Sequence, residues 1–415
     1  MIVYARIIDE SPPFAVPLAD DSATVSDLLE LVRGVRAGGG RNLELLLDGA
    51  DDGARLADLG VAEGDLVNLR ASGEGDADAV LPHVVPALDF EALFETPDPS
   101  ARRLSEYEEV TQLTQWRGPY HIDGGRPAQQ IWSDEASVIR STNWDGYRAP
   151  DELYYRTYVL KQSRADRAVS TAFRFARESG QLAKVSPEHV ARMRTLAGPL
   201  QYPHWGLCVV HQHTTRFAMS SWIAGATCFQ MFDELRHSQL HGRLALEYSE
   251  IYEGFEDPNP TWMSEPMLQP TRRLIEEVMA VLDWGQAIIL SGLLIEPAIT
   301  SVTQSLLTSG SLSAGDSVTP FVYQSIAEDK ARHRQSTMRF VEMVSADPIF
   351  GVANLTHING WVADWGGRAI RAGRDLAQGD LAAQEALAAA MANLATGLES
   401  AGVDASPLRV STKGA

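Results

Sequence analysis

The chain has 415 residues, only two cysteines and a formal net charge of −20, with a pI of about 4.9. That length exceeds one ordinary core and predicts two domains, or one large helical domain with an appendage. The charge excludes a phosphate-tracking nucleic-acid surface, which needs net basic patches, and suits solubility or a basic protein partner.

The first residues show no basic segment followed by an apolar one, so no secretory leader is expected. Ile2, Tyr4, Arg6 and Ile8 alternate with Val3, Ala5 and Ile7, which predicts a strand. A turn at Ser11-Pro12-Pro13 leads to a second strand over 14–18, and the two read as a hairpin. Leu28, Leu29, Leu31 and Val32 form the apolar stripe of a helix over 25–35, stopped by Gly38-Gly39-Gly40. Strands follow at 43–47 and 66–71, separated by the segment 55–61. This ββαββ order resembles the β-grasp of ubiquitin-like domains, with residues 55–70 similar to their closing turn and strand. The chain continues past this point, so conjugation is not implied. About a third of the net negative charge falls in this first segment, as expected of a docking or solvated module.

Residues 72–79 are rich in Gly, Asp and Ala without apolar periodicity and read as a linker. The boundaries expected are a β-grasp domain at 1–71, a linker and extended arm at 72–100, a helical domain at 101–400 and a tail at 401–415. Helical spacing of apolar residues predicts long helices over 154–178, 207–248, 272–307, 320–344 and an Ala-rich one over 381–398. Breaks fall at Pro258-Asn259-Pro260, Ser309-Gly310 and Asp347-Pro348. No uninterrupted apolar stretch approaches the about eighteen residues of a membrane span. Cys208 and Cys228 sit in apolar surroundings far from any Cys-x-x-Cys spacing, so they read as buried thiols in a reducing cytoplasm. The tail beyond Ser400 is small and polar and is expected to fray.

Candidate chemistry lies in two helical segments. Glu234 and His237 form a Glu-x-x-His pair within Phe232–Gln239, and residues three apart share a helix face, so both side chains can reach one metal ion. Glu296 and His333 supply a second carboxylate and a second histidine. A carboxylate-bridged diiron bundle needs a lone carboxylate on each of two helices and Glu-x-x-His on each of the other two. Two positions fail that pattern: Lys330 stands three residues before His333, and His204 stands where the first lone carboxylate belongs. A lysine brings positive charge where an anionic ligand is needed. Glu328 and Asp329 are offset in rotation from His333 and point elsewhere. Two readings stay open: Glu234, His237, Glu296 and His333 form a buried polar network that pins helices, or they bind metal with His204, His211 or His213 as substitutes.

The segments Pro199–Gly206, Phe232–Gln239, Ser291–Pro297 and Ser317–His333 are similar to the paired-helix segments of methane, toluene and phenol monooxygenase hydroxylases. Arg103–Thr111 resembles the start of their β subunits, and Asn143–Tyr158 resembles a signature segment of those subunits. The likeness covers Arg103 to Ala372. It departs from the β pattern in keeping His237, and in carrying fused to it a domain like the separate, ubiquitin-like γ subunit of toluene monooxygenase systems.

The resemblance implies a mainly α, ferritin-like bundle behind the β-grasp domain. It implies an auxiliary, fused β/γ subunit with no catalytic residue and no metal, the diiron centre residing in a partner α subunit of an α2β2-like assembly. An effector or coupling protein and a ferredoxin or reductase complete such a system. The complex would hydroxylate or epoxidise a hydrocarbon or aromatic substrate with O2 and electrons from NAD(P)H. Trp144, Tyr147, Arg148, Tyr154, Tyr155, Arg156 and Tyr158 are the expected interface residues, as aromatic and arginine side chains dominate protein contacts. Two rivals remain: a self-sufficient metal-binding oxygenase or oxidase using Glu234, His237, Glu296 and His333, and an adaptor without enzymatic context.

Overall fold

Period-two alternation at the start of the chain produces strands whose inward residues are Val3 and Ala5. The computed structural model describes residues 2–7, 14–18, 22–35, 42–47, 51–62, 65–72, 105–113 and 134–409. They fall in two compact units, one within 2–72 and one formed by 105–113 with 134–409. The rest of the expected linker and arm, and the end of the tail, lie outside the described residues.

In the first unit β1 (Ile2–Ile7) pairs antiparallel with β2 (Phe14–Pro17) and parallel with β4 (Leu66–Ser72). β3 (Asn42–Leu45) closes the sheet antiparallel to β4, giving the order β2-β1-β4-β3. Ser72, expected to open the linker, instead ends β4 opposite Asn42. Helix α1 (Val25–Val35) begins at a reciprocal cap: Thr24 N donates to Asp27 Oδ2 at 2.8 Å, and Asp27 N donates to Thr24 Oγ1 at 3.3 Å. Its buried face, Leu28, Leu29 and Val32, joins Val3, Val16, Leu56, Val67 and Leu69 in one small core.

The second unit is helical among its described residues: α2 (Glu106–Leu113), α3 (Tyr155–Glu178), α4 (Pro187–Leu196), α5 (Gln201–Phe217), α6 (Ser221–Ser249) and α7 (Gln269–Met279) are its earlier long elements. Then comes α8, made of an α segment Trp284–Ile289, a π segment Leu290–Ile295 and an α segment Glu296–Thr308. It is followed by α9 (Val318–Ser345), α10 (Gly351–Ala377) and α11 (Leu381–Ser400). The helix Trp284–Ala314 is apolar and long enough to cross a membrane, but 89% of its most apolar window is buried inside the bundle, which makes it the core helix. Around it pack α9, α10 and α11, while α5 and α6 form a closely packed hairpin. At Gly292, inside the π segment, a Cβ would collide with Thr337, so glycine lets α8 and α9 approach closely.

Three expectations about helices need correction. The single helix over 207–248 is two, because Ser220 accepts a hydrogen bond from Ile223 N and caps α6 after extended backbone at Ala218. The one over 272–307 is likewise broken, with Asp283 capping α8 through Gln286 N at 2.8 Å. The sequence reading has no counterpart of α10, whose glycines weaken its helical signal. It forms because Ile358, Val362, Ala369, Ile370 and Leu376 fill one buried face.

The tail also departs from expectation. Val403, Ala405 and Leu408 are buried in the helical core, with Leu408 over the space left by Gly366. Truncating a core leucine costs about 2–5 kcal/mol. Leu408→Ala should therefore destabilise the helical unit by that amount in urea unfolding monitored by circular dichroism, whereas a frayed tail would leave the transition unchanged.

Candidate functional site

Four helices bring their polar residues to one buried place. His204 and His211, seven residues apart on α5, face the same way; α6 gives Asp233, Glu234, Arg236 and His237. From α8 comes Glu296, and α9 gives Asp329, Lys330, Arg332 and His333. All of these side chains are buried.

Lys330 lies at the centre. Its Nζ donates to Glu234 Oε1 and lies 3.2 Å from Glu296 Oε2. The other oxygen of Glu234 accepts from His204 Nδ1 at 2.7 Å, and the other oxygen of Glu296 accepts from His211 Nε2 at 3.0 Å. Burial pushes both carboxyls up, but the Lys330 ammonium and the histidine hydrogen bonds outweigh it and hold both below the usual carboxylate range. Burial likewise disfavours a charged Lys330, yet the two carboxylates keep its pKa raised.

His333 donates from both nitrogens, Nδ1 to Glu296 at 3.0 Å and Nε2 to Asp233 at 3.1 Å. Burial opposes its charge, and Glu296 with the Asp233 hydrogen bond raises its pKa to about 9, so the ring is an imidazolium near neutral pH. His204 behaves oppositely: burial dominates and lowers it to about 4, leaving a neutral ring. His237 donates from Nε2 to Asp329 at 3.2 Å, and its Nδ1 has no hydrogen-bond partner.

Asp233 and Asp329 close the charge balance. Arg332 donates to Asp233 at 2.8 Å and Asp329 at 2.6 Å; Arg236 donates to Asp329 at 3.0 Å. Gln162 of α3 donates its amide to both aspartates, at 2.6 and 2.9 Å, and Tyr158 donates to Asp233 at 2.9 Å. The carboxylates of Asp233, Glu234, Glu296 and Asp329 thus meet an equal number of cations, Arg236, Lys330, Arg332 and His333.

The expected residues Glu234, His237, Glu296 and His333 are brought together, with His204 and Lys330 among them. His213 is not: its Nε2 donates to the Leu282 carbonyl at 2.9 Å, away from the cluster. Glu328 is exposed, as its rotation implied, but Asp329 turns inward and joins. Asp233, Asp329, Arg236 and Arg332 were missed by the sequence reading. The signal for them is a repeat: Asp233-Glu234-Leu235-Arg236-His237 and Asp329-Lys330-Ala331-Arg332-His333 share the pattern Asp-x-x-Arg-His.

Potential ligand atoms of His211, Glu234, Glu296 and His333 lie within 4.8 Å of one another, as do those of His204, Glu234 and His237. All four in the first set already bond to Lys330 or to a neighbouring carboxylate in ways a metal would displace.

The expected interface residues divide. Tyr147 and Tyr158 are buried within the chain, where Tyr147 bonds Ser336 and Tyr158 stacks on Phe229 at 4.5 Å, so neither is the exposed anchor expected. Trp144 is half-buried against Trp284, and the Arg148 guanidinium sits 3.6 Å over the Trp222 ring. Tyr154 is half-buried, whereas Tyr155 and Arg156 are exposed. Much of the 143–158 segment therefore serves to seat α3 on the bundle. Cys208 and Cys228 are free thiols, the first buried and the second half-buried.

The chain is 27% identical over 278 residues to the hydroxylase component subunit beta of the toluene-4-monooxygenase system of Ectopseudomonas mendocina, covering 64% of this chain and 83% of that one. It is 23% identical to the methane monooxygenase component A beta chain of Methylosinus trichosporium, over 74% of this chain and 84% of the relative. The crystal structure of xenon-pressurised phenol hydroxylase from Pseudomonas sp. OX1 has the same fold, with a TM-score of 0.65 at 19% identity over 73% of this chain and 92% of that chain. Residues 125–348, more than half of the chain, match the methane/phenol/alkene hydroxylase family, and the chain belongs to that family.

Proposed function

We propose that this chain is the non-catalytic β-type subunit of a cytoplasmic, multicomponent diiron monooxygenase hydroxylase. With its α subunit it hydroxylates or epoxidises a hydrocarbon or aromatic substrate, using O2 and electrons that originate in NAD(P)H and arrive through a reductase or ferredoxin, under an effector protein. Its part is to scaffold the α subunit, which carries the diiron centre. The first unit is a β-grasp, ubiquitin-like domain, so the chain joins β and γ roles. The strand order β2-β1-β4-β3 with α1 across it supports that assignment.

One observation carries the reading: the Lys330 ammonium lies between Glu234 and Glu296. A bridged diiron pair needs anionic ligands at the positions held by Lys330 and His204, and it needs the space between the carboxylates. An ammonium group satisfies both carboxylates with a single positive charge and no redox chemistry. The residues do not fit a diiron pair, and no step of the reaction is assigned to them.

Purified alone from iron-supplemented cells, the chain should hold less than about one-tenth equivalent of iron, and co-expression with its α subunit should yield a stable iron-bearing complex. Near two irons per isolated chain would overturn the reading in favour of a self-sufficient oxygenase; failure to join the α subunit would favour the adaptor. Lys330→Met removes the cation shared by two buried carboxylates and should cost about 3–5 kcal/mol in urea unfolding. A loss below about 1 kcal/mol would show that the cluster does not depend on the ammonium.

His333 gives the pH dependence. Its pKa is raised from 6.5 to about 9, so its stabilisation is complete below pH 6.5 and disappears as pH rises through about 9. The urea midpoint of the wild-type chain should fall between those values, and that of His333→Gln should fall much less. Parallel declines in both would assign the pH dependence to another group.

A further inference from the structure

Helix α3 differs from the rest of this acidic chain. Its 24 residues carry six cations, Arg156, Lys161, Arg164, Arg167, Arg174 and Arg177, against two carboxylates, Asp166 and Glu178, in a chain of net charge −20. Asp166 is already engaged by Arg236 at 2.6 Å. Arg177 pairs with Glu247, and Arg156 lies 3.7 Å from Glu106. Among the described residues Lys161, Arg164, Arg167 and Arg174 pair with no carboxylate; Arg167 donates only to the Ser163 carbonyl, at 3.2 Å.

The outward side is patterned for helix contact. Arg156, Leu160, Arg164, Arg167, Thr171, Arg174 and Glu178 are all exposed and recur every three or four residues, the spacing of one helix stripe over about 33 Å. Three large apolar side chains are exposed on the helix: Leu160 within the stripe is 47% exposed, Phe175 beside it 62%, and Tyr155 at the N-terminal end 71%. Arginine and aromatic side chains exposed on one helix match the composition of protein-contact surfaces. Beside it runs a shallow groove of about 420 Å³ between Val159 and Arg167, floored by Tyr158 and Gln162.

We propose that this face of α3 docks an acidic, amphipathic helix of the catalytic α subunit. The inference rests on the proposed β-subunit role and adds to it the surface and the chemistry of the contact. Carboxylates of the incoming helix would meet the unpaired guanidinium groups, and its apolar residues would cover Leu160 and Phe175. Arginine suits such a contact because its planar fork binds carboxylates bidentately and is weakly hydrated.

The test uses the full chain and the α-type hydroxylase subunit of the same organism. Arg164→Glu/Arg167→Glu/Arg174→Glu is compared with Arg273→Glu/Arg371→Glu/Arg374→Glu, which changes the net charge equally at exposed sites on α7 and α10. Tyr155→Ala/Phe175→Ala tests the apolar half. Circular dichroism establishes that each variant is folded, and affinity is measured by calorimetry at low and high salt. The α3 charge variant should bind about 100-fold more weakly or worse, with the salt dependence flattened, while the α7/α10 variant stays within about threefold of wild type. The aromatic variant should weaken binding at both salt concentrations. Equal affinities for the two charge variants would overturn the α3 proposal and leave the subunit reading standing; no binding by the wild-type chain would overturn both. A wild-type chain that dimerises by itself through α3, with the dimer lost in the charge variant, would identify a second copy as the occupant and overturn the proposal.

Discussion

The helical unit depends on one ammonium group. Two glutamates from different helices are buried within reach of each other, a placement that separates helices unless something positive lies between them. Lys330 supplies that charge from a third helix, so α6, α8 and α9 are joined at one point. The neighbouring aspartates, arginines and His333 then complete a locally neutral assembly, which is the condition under which so many ionised groups remain inside a protein. Dispersion and apolar burial provide most of the stability of this core, as in other domains; the cluster provides register. A helix that slid by one residue would leave every charge in it without a partner.

The same geometry accounts for the chain retaining so much of a metal-binding pattern. Glu234, His237, Glu296 and His333 each satisfy another residue of the cluster, so none can be lost without exposing a buried charge or an unmet hydrogen bond. A Glu-x-x-His pair can therefore persist for reasons of packing alone. Lys330 and His204, the positions that break the ligand pattern, are the residues that make the remaining set self-sufficient.

The fold was readable from periodicity where elements are amphipathic. α1, α3 and α9 declare their length through apolar spacing, and the strands through alternation. Breaks between collinear helices were less visible, because Ser220 and Asp283 act through single capping hydrogen bonds inside otherwise helical stretches. α10 was hidden by its glycines, of which Gly366 and Gly373 serve close packing against Leu408 and Leu387, a property of the neighbours and not of the segment. In the cluster, the metal-like residues stood out by type, whereas Asp233 and Asp329 did not, since a carboxylate beside a candidate ligand looks like any surface acid. Tyr147 and Tyr158 show the converse error: an aromatic-rich segment resembles a contact surface in sequence, and much of this one is packed inward because its hydroxyl groups find Ser336 and Asp233.

The repeated Asp-x-x-Arg-His pattern has a consequence for how the bundle assembles. The pairing is exchanged: Asp233 of α6 holds His333 of α9, and Asp329 of α9 holds His237 of α6. Neither helix is complete with its own residues, and each, taken alone, would present to water an acid and an imidazole that match the other. The hairpin of α5 and α6 and the later helices α8 and α9 are thus two halves of one cooperative object. Either half alone would be a pair of helices carrying charges that favour the solvent over a core, so the ordered state of one is conditional on the arrival of the other.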